Sequence, residues 1–373
     1  MLVNASMAPK ILAYAVLGAY IFITFYILFK QPNIFLHKAF TVLILMSVAT
    51  LLYWILFDRS AKGIEYFAAR TITFTMIAIS IYYYREFLIE HLPKIFMWTG
   101  FVILLYGLLT NHSYFGGRYS GPFNNPNSLG WFSALLFGIA LLELEKSRLK
   151  IFLLLFFLGL SFASGSRASI GGVVLAFIFQ GGLTPKKIFL LSAGVGALLL
   201  MQQVASSFGF HSGLERLISA ETSKEGLLSG RAMEWKLAFE TFLEKPLTGH
   251  GLINYAYISD SVLIRHGVFR IDAMFAANPH NSFLAVITQY GAIFSTFILG
   301  MLIYYLIKIY KTGCPKKSLY FITLYSFVAS AVEAYLFSVS GFEGFVFWST
   351  LPLCLMAIQE HRLKLEKTDQ KVL

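Results

Sequence analysis

The residues of this chain best suited to chemistry are His280 and three arginines, Arg118, Arg167 and Arg231, each set in a turn or at a helix start rich in Gly, Ser or Asn. A guanidinium is planar, permanently charged and able to hold phosphate through two parallel hydrogen bonds, so a cluster of arginines points to an anion such as a diphosphate. Histidine is the side chain best placed to accept a proton near neutrality. Two readings of His280 therefore stand: a general base beside that anion, or a structural residue or headgroup contact.

The local settings sharpen these roles. Asn278-Pro279-His280-Asn281-Ser282 runs directly into an apolar stretch. Asn278 is a good N-cap and Pro279 a good first residue, which predicts His280 in the first turn of a helix. The segment from Ser229 to Phe242 reads as an amphipathic helix capped by Ser229, with Trp235, Ala238, Phe239 and Phe242 on one face. Pro246 ends it and Gly249-His250-Gly251 makes a turn. Arg231 then falls in the first turn, beside free backbone N–H groups that favour an anion. The same helix also suits the bilayer surface, and the two readings are compatible. Arg167, in Ser164-Gly165-Ser166-Arg167, either snorkels to water or binds an anion. Upstream, Arg118 opens a loop containing Asn124, Asn125 and Asn127. Caps and turns explain the asparagines, and recognition of sugar hydroxyls is the other reading.

What must hold these residues is a membrane bundle. Of 373 residues, 57% are hydrophobic and 13% charged, against about 25% charged in soluble domains. Mean hydropathy is +0.68. Apolar runs long enough to span, about 20 residues each, lie at 11–29, 39–57, 66–84, 93–110, 127–143, 149–164, 168–183, 187–208, 281–307, 318–339 and 343–360. The expectation is an all-α polytopic integral membrane protein with about 11 to 12 transmembrane helices. Lysine-rich ends at Lys146 and Lys150, Lys186 and Lys187, and Lys316 and Lys317 fall in alternate loops and read as cytoplasmic. The arginine-bearing loops are then extracytoplasmic. Residues 1–208 form an N-terminal set of helices, 209–280 one large outer loop too long to be a structureless connection, and 281–373 the remaining helices and a short tail.

Several functions are disfavoured. The net charge of +11 sits between apolar runs, where it sets topology and meets membrane lipids, so no nucleic-acid partner is expected. The two cysteines, Cys314 and Cys354, have no metal-ligand spacing, no P-loop is present, and no carboxylate pair offers a metal site. Among carboxylates in apolar runs only Glu333 lies well inside a span, with Glu343 at a turn; a proton-coupled transporter normally carries more.

From Arg118 to Gly291 the chain resembles the O-antigen ligase and polymerase family of bacterial envelope glycosyltransferases. The parts recur in order: Arg118 before Phe-Asn-Asn-Pro-Asn, the Ser-Arg turn at Arg167, Gly-Arg-x-x-x-Trp at Arg231, Pro-Leu-x-Gly-x-Gly at 246–251, then Pro-His-Asn-Ser with nine residues between Asn281 and Gly291. The family pattern wants Gly, Thr or Tyr three residues further on, where this chain has Phe294. The resemblance implies a GT-C-like glycosyltransferase in the bacterial inner membrane with its site facing the periplasm. It implies Arg167 and Arg231 on the diphosphate of an undecaprenyl-diphosphate-linked glycan, and His280 at the reacting centre. Arg118, Asn124, Asn127 and Asn281 would contact diphosphate or sugar. Transfer would be inverting and need no metal or other cofactor. The lipid A core is the acceptor in a ligase; a growing glycan in a polymerase and a protein hydroxyl in a protein transferase are the alternatives. A lipid-linked glycan transporter is the reading from a different class.

Overall fold

The computed structural model describes residues 37–110, 114–115, 118–123, 125–182, 231–252, 258–267, 280–338 and 341–369, with a few single positions before residue 37. Most of the expected span 11–29, all of 187–208 and residues 209–230 lie outside the described residues, as do Asn124, Asn278 and Pro279.

The architecture is helical. A short 3-10 turn leads into α1 (Thr41–Tyr53), which widens into a π-helical turn over Trp54–Asp58. Then come α2 (Ala61–Thr110), α3 (Pro126–Glu143), α4 (Arg148–Ala163) and α5 (Arg167–Phe179). Past residue 230 follow α6 (Ala232–Glu244), α7 (Asp260–Arg265), α8 (Ser282–Thr312), α9 (Lys317–Ala329) and α10 (Phe342–Asp369). One antiparallel pair departs from an all-α chain: β1 (Tyr114–Phe115) and β2 (Arg118–Tyr119), with Phe115 opposite Arg118. Among the described residues, four helices are long and apolar enough to cross a membrane: Lys38–Asp58, α2, α8 and Phe342–Lys367.

The centre of the bundle is α3. It is buried almost all round from Leu129 to Leu141 and packs against α2, α4, α5 and α9. A helix apolar on every side can be satisfied only in such a position. Its start is set locally: the Asn125 side chain accepts a hydrogen bond from the Asn127 amide, and Pro126 occupies the first turn.

Two expected spans, 66–84 and 93–110, fall in the single helix α2. At 1.5 Å per residue its 50 residues would reach about 75 Å if straight, far more than a hydrocarbon core of about 30 Å. The backbone breaks at Tyr84, where φ is −109° and ψ 17°. Arg70 reaches the Phe337 carbonyl, Arg85 pairs with Glu360 at 2.9 Å, and Gly107 packs on Pro122.

The expected span 318–339 stops at Ala329. Ser330–Ser338 forms turns instead, and the reason is that its backbone groups find partners on neighbouring helices rather than within a helix of their own. Ser330 O accepts from the Ser282 amide at 2.8 Å, Glu333 O from Ser282 Oγ at 2.7 Å and Leu336 O from Trp348 Nε1 at 2.7 Å. Phe337 O accepts from Tyr66 Oη at 2.7 Å and from Arg70. Buried irregular backbone is tolerated only where its polar groups are satisfied in this way.

A second break explains two glycine motifs at once. At Gly291 (φ 69°) α8 leaves helical geometry, and the turn after α6 docks on the exposed backbone. The His250 amide donates to Thr288 O at 2.9 Å, the Gly251 amide to Gln289 O at 3.2 Å, and the Ala292 amide to Pro246 O at 2.7 Å. A Cβ at Gly249 (φ 69°) would overlap the Gln289 carbonyl, and one at Gly291 the Leu247 carbonyl. Gly249→Ala or Gly291→Ala should each destabilise the protein by about 2–4 kcal/mol through strain and backbone overlap. The thermal midpoint of detergent-solubilised protein reads this, with Gly300→Ala, whose Cβ would face open space, as the unaffected comparison. Equal midpoints for all three would remove the docking argument.

Candidate active site

The turn Ser164–Ser166, with Gly165 at φ 58°, delivers Arg167 as the first residue of α5. Arg118, held by β2 and 6% exposed, crosses to this turn: its Nε donates to Ser164 O at 2.7 Å and its Nη2 to Asn127 Oδ1 at 2.5 Å. Arg231 is the N-cap residue of α6, one position earlier than the first turn expected for it, and its carbonyl accepts from the Trp235 amide at 2.8 Å. The proposed cap Ser229 lies outside the described residues. Arg118, Arg167 and Arg231, from three separate parts of the chain, line one cavity of about 510 Å³ together with Asn127, Trp235 and Glu333. Beyond Ser166 and Tyr325 the rest of its wall is apolar, with Val174, Leu175 and Ile178 of α5 and Val328 and Ala329 of α9.

The buried face of α6 is not the one expected. Leu237, Ala238 and Thr241 are buried, while Phe239 is exposed. The helix packs against α8 and α7, where Leu237 and Ala238 meet Ile258, Val262 and Leu263. That choice of neighbour, invisible in the helix's own pattern, turns Arg231 toward the 330–338 turns.

There Glu333 gathers the site. Its Oε1 accepts from Arg231 Nη2 at 2.8 Å and its Oε2 lies 3.4 Å from His280 Nδ1, while Arg231 Nη1 donates to Val332 O. Burial pushes the Glu333 carboxyl up, but the His280 hydrogen bond and the Arg231 guanidinium outweigh it and hold the group below the usual carboxylate range. Glu234 behaves in the opposite sense: burial pushes its carboxyl up, only partly offset by His280 and Arg231, and Glu333 adds to the rise. The cavity therefore presents three arginines against one ionised carboxylate, an arrangement that attracts an anion with more than one charge.

His280 stands just before α8 rather than in its first turn, with φ at 44°, a left-handed conformation uncommon for a residue with a side chain. Asn281, not Asn278, is the cap: its Oδ1 accepts from the Phe283 amide at 2.9 Å and the Leu284 amide at 3.1 Å. The carboxamide oxygen expected to meet substrate is thus engaged by the helix, which is the stronger local demand on a buried N-cap. Asn127 also holds Arg118, so its part in any ligand contact is shared with that guanidinium.

Glu333 and Trp235 are the residues missing from the sequence-based site. The signal for Glu333 was present, since a carboxylate deep in an apolar run needs a partner; which partner was not readable. Phe294, the departure from the family pattern, packs its ring 5.4 Å from Tyr53 and 6.0 Å from Phe57. It fills the seam between α1 and α8.

No curated protein matches the chain. Residues 151–305 match the O-antigen ligase family model, a stretch that contributes Arg167, Arg231, His280 and Gly291, while Arg118, Asn127 and Glu333 come from outside it. The match bears out, over this central part of the chain, the family that the motifs resemble.

Proposed function

We propose that the protein is an O-antigen ligase, an inverting transferase that moves a glycan from undecaprenyl diphosphate to the lipid A core at the periplasmic face of the inner membrane. The observation that carries this reading is the two-part cavity: arginines 118, 167 and 231 at one end, and an apolar wall between α5 and α9 at the other. A polyprenyl diphosphate has the same division into a charged head and a hydrocarbon tail. The diphosphate is already a good leaving group. What the reaction needs is cations for the charge that develops on it and a base for the acceptor hydroxyl. Arg167 and Arg231 supply the former and His280 the latter, so the proposed reaction requires no metal.

The acceptor hydroxyl attacks the anomeric carbon, its proton passes to His280, and the bond to the diphosphate breaks with its electron pair leaving on phosphate. Polymerase and protein transferase share this donor chemistry and differ in acceptor. Purified protein with lipid-linked donor and lipid A core, in detergent and without a gradient, separates these readings. Transfer to the core supports ligase, transfer only to a second lipid-linked glycan supports polymerase, and absence of transfer with any acceptor removes the enzyme reading.

Two further outcomes are expected. Arg167→Ala should weaken binding of the lipid-linked donor by roughly 10-fold or more, as expected for loss of a charge-assisted phosphate contact. Unchanged binding would return Arg167 to snorkelling. A cysteine at Lys236, on the exposed side of α6, should react with an impermeant thiol reagent from outside, and one at Lys316 should not. The reverse pattern would overturn the periplasmic placement.

A further inference from the structure

We propose that Glu333 couples occupancy of the diphosphate site to the base: a bound diphosphate draws Arg231 from Glu333, and the released carboxylate turns to His280. This rests on the donor reading above and adds to it how the two halves of the site communicate. The starting point is the inequality of the two contacts that one carboxylate makes. Arg231 Nη2 is 2.8 Å from Oε1, a full charge-assisted bond, while His280 Nδ1 is 3.4 Å from Oε2, longer than a normal hydrogen bond. Arg231 Nη1 is also engaged, by Val332 O. A diphosphate entering the cavity that Arg231 lines must therefore compete for donors already in use.

The competition favours the diphosphate, which brings more than one negative charge and is also met by Arg118 and Arg167. Once Arg231 turns away, the Glu333 side chain, 15% exposed, has little water to replace it. Among the described residues the charged and titratable groups around it are Arg231, His280, Glu234 and Tyr335. The Tyr335 hydroxyl already donates to Ser326 O at 3.0 Å, so His280 is the neighbour placed to donate a hydrogen bond in Arg231's place. A shortened Nδ1–H to Glu333 bond fixes the tautomer and leaves Nε2 to take the acceptor proton as the new C–O bond forms and the phosphate oxygen departs with its electron pair. Glu333 is in this account a positioning residue, acting through Arg231 and His280, and it prevents the base from being aligned before the donor is in place.

The test sets binding against chemistry, since a carboxylate that merely supports the fold would damage both. The probe is undecaprenyl diphosphate without glycan, and transfer is measured in single turnovers with the full donor. Glu333→Gln should bind the probe about 5-fold tighter, because the competitor for Arg231 loses its charge, and transfer about 100-fold more slowly. Glu333→Asp, which keeps the charge but shortens its reach, should lie between wild type and Gln in both. In an Arg231→Ala background Glu333→Gln should no longer change binding. Weaker or unchanged binding in Glu333→Gln, with Asp behaving alike, overturns the coupling alone. Tighter binding with normal transfer removes its link to His280. Wild-type binding of the probe by Arg231→Ala removes the donor reading and the coupling with it.

Discussion

Replacing His280 by alanine is expected to leave the protein folded and able to bind lipid-linked donor while slowing transfer roughly 100- to 10,000-fold, the range that a general base contributes. The fold should survive because His280 precedes α8 and its cap is made by Asn281, not by the imidazole. Relief of the left-handed backbone is not expected, since alanine is no more at ease at φ 44° than histidine. Donor binding should survive because the arginines, not His280, line the cavity. If the imidazole instead hydrogen-bonds the diphosphate, His280→Ala should weaken donor binding and His280→Gln should restore part of it. Chelator should leave the wild-type rate unchanged, in keeping with the proposed metal-independent reaction. Donor affinity and single-turnover transfer for both variants, with and without chelator, separate these outcomes. Full transfer in His280→Ala would end the base assignment. Abolition by chelator, reversed by added metal, would end the arginine-only account of the leaving group.

The second large effect is expected from Arg231→Lys, about 100-fold in transfer although the charge is kept, comparable to removing one donor from a preorganised anion site. The geometry explains why charge alone is insufficient. Arg231 uses one nitrogen on the Val332 carbonyl and another on Glu333 Oε1, so it ties the 330–338 turns to α6 while facing the cavity. A single ammonium has no planar fork with which to reproduce that placement and still present a paired grip to phosphate. Lys236→Ala is the matching comparison: Lys236 is on the same helix but largely exposed, 4.0 Å from Glu240 within one helical step, and its loss should change transfer less than about twofold. Transfer within a few-fold of wild type in Arg231→Lys would reduce the residue to a structural tie.

The lowered Glu333 carboxyl gives this tie a pH signature. Glu333 is held below its ordinary value in the folded protein, so its pairing with Arg231 stabilises the site at pH above the usual carboxylate range and is lost as pH falls through the depressed value. Glu234, pushed up by burial, has the opposite sign: its neutral form is the favoured one, and deprotonation as pH rises opposes the fold.

Composition alone was enough to place the chain in a bilayer, because a run of twenty apolar residues has few other stable fates. Short motifs were likewise sufficient to pick out Arg118, Arg167, Arg231 and His280, since the demand for a phosphate grip and a proton acceptor is met by side-chain chemistry that each residue carries wherever it lies. The order of those motifs also carried the family, which the match over residues 151–305 bears out.

What no local pattern held was the identity of partners. The apolar run 318–339 reads as one span, yet it breaks after Ala329 because Ser282, Trp348, Tyr66, Arg70 and Arg231 arrive from four other segments to satisfy its backbone. That break is what brings Glu333 between Arg231 and His280. The glycines of the 246–251 stretch read as a turn and Gly291 as a motif position inside a span, and neither reading showed that the two backbones meet. Asn281, expected to contact diphosphate or sugar, caps α8; of the stripe expected to share a face on α6, only Ala238 is among the buried residues. Propensity and capping act within about one helical turn, so the sequence by itself pointed to the apolar medium, to most of the described helices and to the candidate side chains. Which carboxylate meets which cation depends on segments far apart in the chain, and only tertiary packing, by satisfying buried backbone and charge together, decided it.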